Sequence, residues 1–138
     1  MTNLELLEQY FGSLTGANNQ QITDFMSDDI IWHLPPAHPF GGPFIGIPAV
    51  QEMLGMGGDL FDFTTIAMQR HTLFGDGDNV CAHFQMNAQT PTGLDYQNQY
   101  LFRFRCHNEQ IVEVWEFMDT YYQSQVGMFD KPPYSGQT

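Results

Sequence analysis

At 138 residues the chain has room for one domain with a substantial core and is too short to divide comfortably into two. Its 16 acids against 4 Lys and Arg give a formal charge of −12, which repels nucleic acid over most of the surface. No run reaches the ~18 apolar residues of a membrane span, and "MTNLELLEQYFGSL" has neither a basic flank nor a continuous apolar core, so a soluble, cytoplasmic protein is expected.

In chain order, Leu4, Leu7, Phe11 and Leu14 recur at helical spacing, with Gly12 and "TGANN" closing a first helix. A shorter second helix is expected over "NQQITDFM". The stretch "DDIIWHL" reads as a strand, ended by Pro35 and Pro36. "PPAHPFGGPF" is then an irregular loop, and Pro48, Val50, Met53 and Leu54 open a third helix. From Phe61 onward every signal is strand. "FTTIAMQRHTLF" and "NVCAHFQMNAQT" flank the turn "GDGD", and "TPTGLD" leads into a further hairpin. In the second of these strands Val80, Ala82, Phe84, Met86 and Ala88 form one apolar face, while Cys81, His83, Gln85 and Asn87 form the other. Three helices followed by a long, mostly antiparallel sheet is an α+β order, with a space left between the twisted sheet and the helices.

The two cysteines, Cys81 and Cys106, lie in predicted strands without Cys-x-x-Cys pairing and read as buried thiols. The five histidines are scattered, the ligand spacing of a zinc site is missing, and neither metal nor cofactor is expected.

The final hairpin joins "YQNQYLFRFR" to "IVEVWEFMDT". A turn centred on Asn108 and Glu109 sets Phe104 opposite Glu113, Phe102 opposite Trp115, Tyr100 opposite Phe117 and Asn98 opposite Asp119. Simple alternation then sends Asp119 inward and Glu116 outward. A carboxylate inside an apolar space is poorly solvated, so its proton affinity rises toward neutrality and it suits general acid–base work. Ordinary roles compete: Asp119 would cap a short C-terminal helix, and Glu116 would pair with Arg103 on the outer face.

The motifs "IIWHLPP", "PFIGIPAVQEML", "YQNQYLFRF" and "QIVEVWEFMDT" together resemble the SnoaL-like, nuclear-transport-factor-like superfamily, which includes ketosteroid isomerases, polyketide cyclases and phenazine-biosynthesis proteins. The resemblance implies a cone-shaped, curved, mostly antiparallel mixed sheet with three N-terminal helices on its concave face. The cone would span residues 1–129, with 130–138 as a tail. Tyr96, Asn98, Tyr100 and the run Trp115 to Asp119 look most like the phenazine-type branch. That branch uses the Glu116 position as its pocket acid and pairs it with a third-helix histidine, where this chain has Met53. Placing Glu116 in the pocket requires a β-bulge, expected near Trp115.

These readings lead to a small-molecule enzyme of isomerase or cyclase type acting on an apolar, ring-bearing carbonyl compound. Asp119 or Glu116 is the expected base. His33 follows Trp32 at a strand end and is a second candidate proton carrier, with an ordinary strand-end role as its competitor. Asn98 and Tyr100 are expected to orient or polarise the ligand, and Trp32, Trp115 and Phe117 to wall its pocket. The alternative is a non-catalytic binding or dimerisation module on the same cone. A homodimer through the outer sheet face is expected, because Gln99, Arg103, Arg105 and His83 charge that face too lightly for full solvation.

Overall fold

Thr2 starts the first helix with a reciprocal cap: its hydroxyl accepts from the Glu5 N–H and its own N–H donates to the Glu5 carboxylate. In the computed structural model, which describes residues 1–130, this helix is α1, Asn3–Thr15, and Gly16 ends it at φ 79°. Its buried stripe is Leu6, Leu7, Tyr10 and Phe11, whereas Leu4 and Leu14 of the expected stripe are exposed. The aromatic pair sets the rotation. Tyr10 and Phe11 both pack edge-on against Phe104 of the sheet, and Phe11 also meets Phe84.

The expected second helix shrinks to a single 3₁₀ turn, Ile22–Phe25, because β1 begins at the very next residue. β1 is Met26–His33, β2 is Phe44–Ile45, and α2, Ile47–Leu60, carries Pro48 in its first turn. Four long strands follow: β3 (Asp62–Asp76), β4 (Asn79–Gln89), β5 (Asp95–His107) and β6 (Gln110–Met118). A short helix, α3 (Thr120–Gln125), closes the described chain. The six strands make one mixed sheet in the order β2-β1-β6-β5-β4-β3, antiparallel except where β1 runs parallel to β6. This is the α+β architecture read from the sequence, with two α-helices and the 3₁₀ turn in place of three N-terminal helices. Of the expected tail, 130–138, all but Asp130 lies outside the described residues.

β5 alternates without a break, burying Tyr96, Asn98, Tyr100, Phe102, Phe104 and Cys106 and exposing the residues between. Its partner does not. Asn108 and Glu109 form the turn with φ 51° and 59°, and next to it the expected register holds, Cys106 opposite Ile111. Arg105 then pairs with Glu113, leaving Val112 as an extra residue. Beyond this bulge every side chain of β6 has changed face. Val114, Glu116 and Met118 stand opposite Phe104, Phe102 and Tyr100, while Trp115 and Phe117 stand opposite Arg103 and Leu101. The inward Asp119 and outward Glu116 of the unbulged register are therefore corrected. Among the described residues no helix is long and apolar enough to cross a membrane.

Candidate active site

Between α1, α2 and the concave sheet face lies a pocket of about 630 Å³, within the range of small-molecule sites. Its wall is apolar and includes five methionines, Met53, Met68, Met86, Met118 and Met128, whose unbranched side chains adapt to irregular ligands. Aromatic rings of α1, β1, β4 and β5 supply the flat surfaces.

Glu116 is the acid on this wall. The bulge turns it inward, and Trp32 of β1 donates its indole N–H to Glu116 Oε1 at 2.9 Å. The residue keeps some accessible surface because the pocket is open, yet protein encloses the carboxyl closely enough for burial to push it up to about 7. The Trp32 hydrogen bond favours the ionised form and works against that rise. Among the described residues Oε2 has no hydrogen-bond partner.

Two phenols share the pocket. Tyr10 is 2 % exposed, and its hydroxyl has no hydrogen-bond partner among the described residues. Burial raises its proton affinity and the Glu116 charge adds to the effect. Tyr100, on β5, is likewise raised, first by burial and then by Tyr96 and Glu116. Its hydroxyl lies 2.8 Å from that of Tyr96. Tyr96 in turn takes hydrogen bonds from Asn98 Nδ2 at 2.8 Å and Gln123 Nε2 at 3.2 Å. His38 joins through Nε2, 3.2 Å from Gln123 Oε1. Burial lowers the His38 pKa, which the Gln123 bond only partly offsets, so the imidazole is neutral at pH 7.

The other residues singled out by sequence sit elsewhere. Asp119 is exposed and caps α3, accepting from the Tyr122 N–H at 3.0 Å, while its main-chain carbonyl accepts from Asn98 Nδ2. His33 lies on the outer sheet face, 2.6 Å from Glu113 and stacked on Trp115. Burial alone would raise the Glu113 carboxyl, but hydrogen bonds from His33 and Arg105 outweigh it and hold it below its ordinary value. Trp115 also carries Arg103, 3.7 Å from its ring centre, and Phe117 is 46 % exposed. Both aromatics were expected in the pocket wall, and the bulge places them on the opposite face. Trp32, Tyr100 and Glu116 do line the pocket, and Asn98 sits behind it. Of the expected buried thiols, Cys106 is fully buried and Cys81 half-buried; both are free.

Sequence reasoning missed Tyr10, His38 and Gln123. Tyr10 carried a usable signal, an aromatic with a polar tip three positions after Leu7 on α1. His38 carried a weaker one, a lone imidazole between prolines beside Phe40. Met53 of α2 and His38 of the loop between β1 and β2 both line the pocket.

A family model described as a SnoaL-like domain matches residues 7–114. No curated protein matches the chain. Solved structures similar to it include an NTF2-like protein of unknown function from Burkholderia pseudomallei (12% identity, 91% of this chain and 97% of that one, TM-score 0.78). Another is TerC, crystallised with polyporic acid (15% identity, 87% and 95% covered, TM-score 0.73). A third is Bal32a, from a soil-derived mobile gene cassette (17% identity, 89% and 94% covered, TM-score 0.74). At these identities the likeness is one of fold.

Proposed function

The chain belongs to the SnoaL-like domain family, and from that premise we propose that it is an isomerase- or cyclase-type enzyme acting on an apolar, ring-bearing carbonyl compound. The observation that carries this reading is Glu116: a carboxyl in an apolar pocket, with one oxygen held by Trp32 and a pKa near the working pH. In its ionised form Glu116 removes a proton from carbon next to the carbonyl, and the electron pair moves onto the carbonyl oxygen as an enolate. The same carboxyl returns the proton at a second position, or the enolate carbon adds to an internal carbonyl, whose π electrons move to its oxygen and take the proton from Glu116. In this reading Tyr100 and Tyr10, which line the pocket, donate to the oxygen on which charge grows. TerC, whose fold is similar, was co-crystallised with polyporic acid, which is in keeping with a small-molecule ligand for this pocket. Asp119 and His33, placed as described, enter this reading as structural residues.

The test is α-proton exchange. With 2-tetralone in D₂O, followed by proton NMR, the wild type should exchange above the buffer rate, with a limb rising through about pH 7. Glu116→Gln should bind the ketone and lose the exchange by about a hundredfold or more. Equal rates in the two proteins would end the proposal. We also propose that the protein works as a homodimer through the outer sheet face, where Leu101 and Phe117 stand exposed opposite each other.

A further inference from the structure

The polar groups His38, Gln123 and Tyr100 on the pocket wall, with Tyr96 and Asn98 behind it, can be assigned a direction, because main-chain groups anchor both ends of the network. Asn98 Oδ1 accepts from the Gln99 N–H at 2.8 Å and Asn98 Nδ2 donates to the Asp119 carbonyl at 3.1 Å. Its amide orientation is therefore fixed, and Nδ2 is a donor to the Tyr96 oxygen. At the other end the Phe40 N–H donates to His38 Nδ1 at 3.2 Å. A neutral imidazole that accepts at Nδ1 carries its proton on Nε2, so His38 donates to Gln123 Oε1. The Gln123 NH₂ must then be what faces Tyr96.

Tyr96 thus accepts two N–H bonds, which uses the acceptor capacity of its oxygen. Its own proton has one partner within reach, the Tyr100 oxygen. The Gln123 amide reaches Tyr100 as well as Tyr96, and since its NH₂ is what faces them it is a donor to both; with its oxygen accepting from Tyr96, Tyr100 keeps its own proton for the pocket it lines.

We infer that Tyr100 is a one-way hydrogen-bond donor to the ligand, held in that sense by the positioning residues His38 and Gln123, and that the ligand presents an acceptor oxygen there. This rests on reading the pocket as the ligand site, and it narrows the ligand class. A carbonyl or quinone oxygen is accepted at Tyr100; a group that can only donate is refused. Losing the His38 N–H reverses the chain. Gln123 is then free to turn its amide, Tyr96 donates to Gln123 Oε1, Tyr100 donates to Tyr96, and the ligand meets a lone pair in place of a proton.

The test compares 9-fluorenone with fluorene, ring systems of one shape that differ in the acceptor oxygen, with affinities corrected for their octanol partition. The wild type should favour fluorenone by roughly five- to tenfold, the worth of one net hydrogen bond. Its bound carbonyl stretch should lie at lower wavenumber than in the Tyr100→Phe variant. In Tyr100→Phe and His38→Leu the fluorenone-to-fluorene ratio should fall to near one, a ratio in which any change of general fit at these two pocket-lining positions cancels. His38→Gln, which restores an N–H at the Nε2 position, should recover it. Fluorenone has no α-proton to exchange, so the binding preference is read apart from the 2-tetralone exchange rate, and failure of the chemistry and failure of this inference read differently. The inference is overturned if Tyr100→Phe keeps the preference, if His38→Leu weakens both probes alike, or if neither probe binds the wild type.

Discussion

Moving a carboxylate from water to the wall of an apolar pocket costs free energy, and Glu116 reduces that cost by holding its proton up to about pH 7. Because its folded pKa lies above the ordinary 4.5, stability falls as pH rises. Below about 4.5 both states are protonated; between there and about 7 only the unfolded chain ionises; above 7 the full penalty is present. Glu116→Gln should therefore be more stable than wild type above pH 7, by an amount on the order of 3 kcal/mol, and no more stable below pH 4.5. Urea titrations of both proteins across this range check it. Asp119 should behave in the opposite way: Asp119→Ala loses the α3 cap, costs about 1 kcal/mol, and leaves the pH limb of ligand chemistry unmoved. A change of that limb in Asp119→Ala would return Asp119 to the list of pocket acids.

At the scale of elements, β6 shows what pattern reading reaches and where it stops. The hairpin, its turn at Asn108 and Glu109 and the alternation of β5 follow from β-branched and aromatic residues around a short polar turn. The bulge at Val112 does not, because Ile111, Val112 and Val114 suit either register, and only packing across three strands chooses between them. One unpaired residue decides whether Glu116 or Asp119 reaches the pocket. The family likeness read from "VWEFMDT" pointed to Glu116, and the expected bulge lies three residues earlier than placed. The α2 helix was legible at Pro48 but not in its full length, because Gly55, Gly57 and Gly58 weaken a helix that tertiary contacts nevertheless sustain. A Cβ at Gly55 meets nothing within 4 Å, so Gly55→Ala should stabilise the protein by roughly 0.5–1 kcal/mol in thermal unfolding.

Among the described residues, the sheet separates two chemistries: an acid in an apolar pocket on its concave side, and on its outer side the apolar and cationic surface of Trp115, Phe117, Leu101 and Arg103. A pair of chains meeting there brings two charges of −12 together, so the proposed dimer should tighten with salt. Light scattering at micromolar concentration should give about twice the 15.8 kDa chain mass, and Phe117→Glu should return it toward one. A single chain mass at every salt concentration would remove the dimer and leave the pocket untouched. The account turns on the carboxyl inside it. Carbon-13 NMR of glutamate side-chain carboxyls, with the Glu116 signal assigned by its loss in Glu116→Gln, measures its proton affinity without any substrate. A midpoint near 7 is predicted, and a midpoint at the ordinary 4.5 would contradict the assignment of Glu116 as the acid–base group.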